Sequence, residues 1–233
     1  MPFELTLVSL DALHTAVDGA SYVTVAFVVG VAFSSLYLGY AGLALLMTRR
    51  VLPAWGVGQL IEPRALAPGQ VQNEIRHSLV SIGIFTGYGV VMVAAERHDW
   101  VTMDWSPSLP SIGVNLIVLI IWNEIHFYAC HRLLHTRWLY RRVHVVHHRS
   151  VVPTPFTTFS FHWVEATMLS SVMLLLLCVW PLDIVTVSLF PAISLIANSI
   201  GHMNYAVFPR KRPSELFAAC QRQAPVGSNT QFA

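Results

Sequence analysis

Six of the eleven histidines lie in the single stretch EIHFYACHRLLHTRWLYRRVHVVHH. The regularly spaced ones are His131, His135, His144, His147 and His148. The first two are four residues apart, and the last three follow at i, i+3 and i+4. On a helix these spacings place the imidazoles on one face, because residues three and four apart are neighbours. Neutral imidazole is the commonest metal ligand among side chains, so two such groups on facing helices predict a site for one metal ion or two.

The ligand types narrow the chemistry of this site. The sequence has no H-E-x-x-H motif, so the general base of a zinc protease is missing. A haem would need two opposed axial ligands rather than paired clusters. Many imidazoles with few carboxylates suit iron, copper or zinc. At the edge of an apolar bundle, redox iron that activates dioxygen on a lipid chain fits best.

The composition indicates that these histidines belong to a membrane protein. Of the 233 residues, 55% are hydrophobic and only 11% are charged, and the mean hydropathy is +0.57. Soluble domains carry about 25% charged residues. We therefore predict an all-α fold, a polytopic membrane helical bundle of one domain. The three cysteines have no metal-binding or redox spacing, and no disulfide framework is expected.

Apolar runs predict about four to five membrane segments that must position the histidines. The long runs are residues 22–47, residues 79–95 and a third run that starts near Ile112 and leads into the histidine stretch. Two shorter runs, 166–182 and 184–200, follow. Each is slightly short for the roughly 20 residues that span a bilayer, so a re-entrant hairpin is the alternative to two crossings.

Charge predicts the sidedness of the bundle. Thirteen of the fourteen Lys and Arg residues fall at 49–76, 132–149 and 210–222, and only Arg97 lies elsewhere. Positive charge favours the cytoplasmic side, so these three groups are expected there and residues 1–21 on the other side. Residues 131–148, His162 and His202 then meet at the cytoplasmic membrane face, where the histidine-rich metal site is predicted.

The order HRLLH, HVVHH, PTPF with FHWVEA, and NSIGH resembles the fatty acid hydroxylase / sterol desaturase superfamily. The resemblance covers about residues 75–209, within a membrane fatty acid hydroxylase-like domain at 22–209. It implies an integral membrane diiron oxidoreductase that hydroxylates or desaturates a lipid C–H bond. It further implies two iron ions, a lipid substrate such as a fatty acid or sterol, and dioxygen. Without a flavin or dinucleotide motif, an external electron donor is expected, of cytochrome b5, ferredoxin or reductase type, and no nucleic acid partner.

The resemblance also implies roles for individual residues. The metal ligands it implies are His131, His135, His144, His147, His148, His162 and His202. The residues expected to act beside them are Glu124, Tyr128, Glu165 and Asn198. Glu124 stands where the family usually has Asp. It shares a helical face with Tyr128 and the first two histidines, so the resemblance still implies that Glu124 supports the metal ligands. His126 is five positions before His131, about 140° round a helix, and is left out of the set.

The end of the chain departs from the family. The family has a third box, again HxxHH, and no histidine follows His202 in these residues. The tail 210–233 looks unlike the family from about Lys211, as a truncation or a shifted reading frame would produce. Seven candidate ligands, where the family has about ten, predict impaired activity. The alternative function is a non-catalytic membrane metal-binding or scaffold protein derived from such an enzyme.

Overall fold

Long helices make up most of the protein. The structure, a computed structural model, describes residues 2–207, with side chains from residue 10 onward, so the tail 210–233 lies outside the described residues. The helices are α1 (Pro2–Gly19), α2 (Tyr22–Leu46), α3 (Leu52–Ala54), α4 (Gln70–Arg97), α5 (Leu109–Leu134), α6 (Arg137–Leu139), α7 (Val145–His148), α8 (Trp163–Leu177) and α9 (Ile184–His202). Two π-helical turns, Met47–Val51 and Tyr140–His144, and a 3-10 helix, Pro155–Phe159, interrupt or join them.

Four helices are long and apolar enough to cross a membrane. They are α2 with its continuation to Ala54, α4, α5 and α9. The prediction of an all-α polytopic membrane bundle is thus confirmed, and the chain is a multi-pass membrane protein. Helix α8 has 15 residues and is about 22 Å long, shorter than the roughly 30 Å hydrocarbon core.

Two short strand pairs mark the two ends of the bundle. The strands are β1 (Gln59–Leu60), β2 (Met103–Asp104), β3 (Leu182–Asp183) and β4 (Tyr205–Ala206). Antiparallel β1 and β4 lie at the histidine end, where α5 and α9 finish. Parallel β2 and β3 lie at the opposite end, where α4 finishes. Because β3 joins α8 to α9 and pairs with the loop after α4, this turn reaches the opposite end instead of stopping inside the bundle.

The segment Thr154–Ser160 explains how the short α8 completes its crossing. All seven residues are buried, and they precede α8 at the histidine end. The Tyr37 hydroxyl donates to the Phe156 carbonyl at 2.8 Å, and the Ser78 hydroxyl donates to the same oxygen at 3.2 Å. The Phe159 ring packs edge-on against Phe85 with centroids 5.1 Å apart. Side chains of α2 and α4 thus satisfy the non-helical backbone inside the bundle, as apolar surroundings require.

Helix α4 begins nine residues before the apolar run that predicts it. It starts at Gln70 instead of residue 79, because the polar residues of its first turns are buried rather than solvated. Glu74 and Ser78 are 2% and 0% exposed. Both side chains contact the segment before α8, which supplies the hydrogen bonds that an apolar run could not predict.

The first residues form a helix for which the sequence analysis predicts no element. Arg97 at the end of α4 donates from Nη2 to the carbonyl oxygens of Val17 and Ala20, the latter at 2.7 Å. The His14 ring stacks on Trp105 with centroids 4.3 Å apart. These contacts attach the end of α1 to the opposite end of the bundle, where a cation at a helix C-terminus is favourable.

Candidate metal centre

The histidines of the stretch stand on three neighbouring segments of the chain. His131 lies in the last turn of α5, and His135 caps that helix with its N–H on the His131 carbonyl at 3.0 Å. The chain turns and continues through the π-helical turn that ends at His144 and then α7, which carries His147 and His148. Such π turns widen a helix locally and are frequent at functional sites.

The first group of imidazoles surrounds a common point. One nitrogen from each of His131, His135 and His144 lies within 4.8 Å of the other two. His148 joins them, since its Nε2 is 3.0 Å from His144 Nε2. Ring centroids of successive members are 4.5 to 4.7 Å apart. We call these four residues the four-histidine cluster.

A second group is a pair from distant parts of the sequence. His202, the last residue of α9, places its Nε2 3.3 Å from Nε2 of His147. The His147 ring lies 5.8 Å from that of His144, so this pair adjoins the four-histidine cluster. We call it the His147–His202 pair.

Hydrogen bonds on the far side of three rings set which nitrogen faces inward. His144 Nδ1 donates to Glu165 Oε1 at 2.8 Å, and His202 Nδ1 donates to the Asn198 carbonyl at 2.8 Å. His147 Nδ1 makes a longer contact of 3.4 Å with the Ser160 carbonyl. Because carbonyl and carboxylate oxygens accept, Nδ1 carries the hydrogen and a neutral ring has its lone pair at Nε2.

Inward lone pairs give the site its fit for a cation. The Nε2 atoms of His147 and His202 face each other at 3.3 Å, and the Nδ1 atom of each ring contacts a backbone carbonyl. When both rings are neutral, two lone pairs meet at that distance and repel unless a proton or a metal ion lies between them. The Nε2 atom of His144 offers a third lone pair, 3.0 Å from Nε2 of His148. Imidazole nitrogen suits iron, copper or zinc, so the donor set fits a transition metal.

Burial keeps these ligands in the metal-binding form. Burial, followed by the neighbouring His202 and His144, lowers the pKa of His147 to about 3. Burial, followed by His144 and His135, also lowers the pKa of His148. Both rings are therefore neutral at pH 7, as a metal ligand must be.

Glu165 is the carboxylate that contacts the ligands. It is 2% exposed, and its Oε1 accepts from His144. Its Oε2 is buried without a hydrogen-bond partner among the described residues. A carboxylate behind a histidine fixes the tautomer and orientation of the ring and raises its basicity.

His162 lies apart from both histidine groups. It is the N-cap of α8, and its Nδ1 accepts the backbone N–H of Val164 at 3.2 Å. That bond uses the lone pair of a neutral ring, so in this geometry Nδ1 cannot bind a metal. Burial, followed by His77, lowers the pKa of His162. His126 is also elsewhere, bonded through Nε2 to Ser171 Oγ at 3.1 Å.

The other three residues expected beside the ligands face outward. Glu124 is exposed and accepts from Asn123 Nδ2 at 3.3 Å. Tyr128 is 64% exposed and accepts from Arg132 Nη1 at 3.0 Å. The Asn198 side chain donates to the Ser194 carbonyl at 2.9 Å, and only its backbone carbonyl holds His202.

Sequence reasoning missed the buried carboxylate of Glu74. Its oxygens accept four hydrogen bonds at 2.5 to 3.0 Å, from Gln70, Ser150, Thr154 and Thr157. Three of these donors, Ser150, Thr154 and Thr157, lie in the segment between His148 and α8. An acidic residue just before an apolar run was the only signal, and three of its four partners lie 76 to 83 residues away.

Comparison with known proteins supports the resemblance of this chain to a known family. Residues 116–224 match the family model of fatty acid hydroxylase, past Lys211, where the sequence analysis expects the likeness to end. No solved structure matches the chain.

Several curated proteins are similar to this chain. The Delta(7)-sterol 5(6)-desaturase erg3C of Aspergillus fumigatus is 34% identical over 43% of this chain and 32% of its own length. Lathosterol oxidase of Homo sapiens is 30% identical over 59% of this chain and 48% of its own length. The very-long-chain aldehyde decarbonylase GL1-10 of Oryza sativa subsp. japonica is 36% identical over 27% of this chain and 21% of its own length. The chain thus spans half or less of the length of these relatives. Through its histidine segments, the chain is similar to the fatty acid hydroxylase / sterol desaturase superfamily, and the family model and these relatives support that resemblance.

Proposed function

We propose that this protein is an iron-dependent membrane oxidoreductase that inserts oxygen into a lipid C–H bond or desaturates it. The observation that carries the proposal is the convergence of imidazole nitrogens in two adjoining groups. The relatives support the lipid class, since two of them act on sterols and one on very-long-chain aldehydes by name.

Six histidines would hold the metal. The four-histidine cluster would bind one iron ion, and the His147–His202 pair would contribute to a second. Bound iron would supply the activation of dioxygen, with electrons from an external donor. Glu165 would orient His144 and keep the proton on its Nδ1, away from the metal side of the ring. His162 stays outside this proposed set because its Nδ1 caps α8.

The outer face of α5 would orient the lipid. Its exposed apolar side chains include Ile117 and Ile120, and Ile120 lies on the same side of the helix as Phe127, which follows seven residues later toward the histidine end. Phe127 is 38% exposed and stacks on the His131 ring with centroids 5.2 Å apart. A lipid chain lying along this face would thus meet Phe127 directly beside a proposed ligand.

Charge supports a cytoplasmic site. Nine of the ten Lys and Arg residues in the described part of the chain belong to the histidine end, and Arg97 is the tenth. Single cysteines at Arg141 and Trp100, in a chain with its three native cysteines replaced by Ser, test this. A membrane-impermeant label should reach Arg141→Cys from the cytoplasmic side and Trp100→Cys from the other. The reverse pattern would overturn the sidedness.

A specific observation favours a second candidate, a non-catalytic metal-binding protein. The His147–His202 pair offers two imidazoles among the described residues, fewer than an iron ion usually needs. A chain that holds one ion firmly and a second weakly would bind metal with reduced turnover or none. This is also how impaired activity of these 233 residues would arise.

Metal analysis with a turnover assay separates the two. The purified chain, loaded with Fe(II) and given a chemical reductant, is expected to bind iron and convert a sterol or long-chain lipid with oxygen consumption. Bound iron without product favours the non-catalytic candidate. If the wild-type chain binds no metal, both candidates fail.

A further inference from the structure

At the histidine end, a contact between two loops lies outside the two histidine groups. The loop after α3 crosses to the chain that follows α9, and the two segments are tied together. Antiparallel pairing joins Gln59 to Ala206 and Leu60 to Tyr205. We call residues 57–62 and 204–206 the Asn204 latch.

Asn204 makes the central contacts of this latch. Its Oδ1 accepts the backbone N–H of Glu62 at 2.8 Å, and its Nδ2 donates to the Glu62 carbonyl at 2.9 Å. Its own carbonyl accepts from the N–H of Ile61 at 3.2 Å. The residue is 4% exposed and has a φ of 51°, a left-handed conformation that Asn adopts more readily than most residues. Both ends of the side-chain amide are therefore used on one peptide strand.

Neighbouring residues close the same contact. The Tyr205 hydroxyl donates to the Val57 carbonyl at 2.6 Å. Gly58 has a φ of +75°, and a Cβ there would lie 2.3 Å from the Ala206 carbonyl oxygen. Only glycine fits so close an approach of two backbones.

The latch begins two residues after His202. The last residues of a helix lack intrahelical partners for their carbonyls and fray unless they are held. His202 ends α9 and meets His147, which is 55 residues away in the sequence and stands on α7. The position of the His202 ring therefore depends on how the end of α9 is held.

We propose that Asn204 is a positioning residue, which holds the end of α9 so that His202 faces His147. This inference rests on the proposed function, in which the two histidines bind a metal ion. The latch acts on this pair alone, because the four-histidine cluster stands on α5, the π-helical turn and α7.

Cobalt(II) titration of the full-length chain in detergent tests the proposal, with visible absorption as the readout. In Asn204→Ala, the dissociation constant of the weaker class of sites is expected to rise on the order of tenfold, the low end of effects seen for outer partners of ligands. The tighter class should keep its affinity. Glu62→Ala is the matched control, because Asn204 contacts only the backbone of Glu62, and it should titrate like wild type.

A double variant separates positioning from general loss of structure. Asn204→Ala added to His202→Ala should have no further effect on cobalt binding. Asn204→Gly, which retains the left-handed backbone without the amide, replaces Asn204→Ala if that variant fails to fold, and should show the same rise.

Three results would overturn the inference. An equal loss in the His202→Ala background would show that Asn204 acts on the whole site, and wild-type titration by both Asn204 variants would show that the latch does not position His202. Absence of cobalt binding by the wild-type chain would instead refute the proposed function, and this inference with it.

Discussion

The two ends of the bundle both bury polar side chains, but they satisfy them differently. At the opposite end, the carboxylate of Asp183 accepts from Asn115 Nδ2 at 2.8 Å and from the N–H and hydroxyl of Thr186 at 2.7 Å. Trp180 donates to Asn115 Oδ1 at 2.9 Å. We call these four residues the Asp183 network, in which every acceptor has a donor from the protein.

The histidine end shows the contrary arrangement. The Nδ1 atoms of His144, His147 and His202 contact acceptors, so in neutral rings the Nε2 atoms of His147 and His202 face each other with no hydrogen between them. Unpaired buried acceptors cost free energy that a bound cation would recover. The difference teaches that the Asp183 network serves folding, while the histidine groups are arranged to bind something from outside. Four variants test this contrast.

The largest effect is expected from His135→Ala combined with His147→Ala. It removes one ligand from each histidine group, so iron content after loading should fall to background, while unfolding of the metal-free chain changes little. Metal analysis and a thermal melt measure the two. His126→Ala, which removes a histidine bonded to Ser171, is the control and should retain the metal. Unchanged iron content in the double variant would refute the ligand placement.

Asp183→Ala should act on stability instead. It strands the donors of Asn115 and Thr186, so the free energy of unfolding should fall by on the order of 3 kcal/mol. The folded fraction should bind cobalt with wild-type affinity. Asp11→Ala, at an exposed site on α1, should leave the melt unchanged. A weakened metal site in folded Asp183→Ala would contradict the separation of the two ends.

Glu165→Gln should weaken metal binding without unfolding the chain. The amide can accept from His144 Nδ1 but lacks the negative charge that raises ring basicity, so affinity should drop roughly 10- to 100-fold. Competition with a chelator measures the change. The matched control is Glu124→Gln, whose side chain is exposed and contacts Asn123. Equal losses in the two variants would argue against the role of Glu165.

Trp180→Phe should give the smallest effect. It deletes the single bond to Asn115 and keeps most of the apolar ring, so the free energy of unfolding should fall by about 1 kcal/mol. Metal affinity should not move. A loss as large as that of Asp183→Ala would mean that Trp180 holds the network in some further way.

Local spacing predicted part of the site well. The i, i+3 and i+4 pattern reflects helical neighbours, and His131, His135, His144 and His148 do converge. Nothing local indicates that His147 meets His202. The topology derived from charge placed both at the same membrane face, and the resemblance to the family made His202 a ligand. His162 shows the limit of that resemblance, because its ring nitrogen caps α8, a role that depends on where the helix begins.

The sequence also predicts only part of the fold. Apolar runs gave the membrane helices, since hydrocarbon burial needs only composition and length. They missed α1 and the first nine residues of α4, whose polar groups are stabilised by tertiary contacts. Apolar runs also give no sign that the segment Thr154–Ser160 is buried, because Tyr37 and Ser78 from distant helices hold its backbone.

The carboxylate of Glu74 has a consequence for the way the chain is made. Its donors Thr154 and Thr157 lie 80 and 83 residues later in the sequence. At a synthesis rate of about 5–20 residues per second, Thr154 emerges roughly 4 to 16 s after Glu74. Until then, Gln70 and water must solvate the charge, which keeps the start of α4 at the membrane surface. The first two spans therefore enter the bilayer before their ends are locked, and the segment between His148 and α8 completes the assembly only after the histidine stretch has been synthesised.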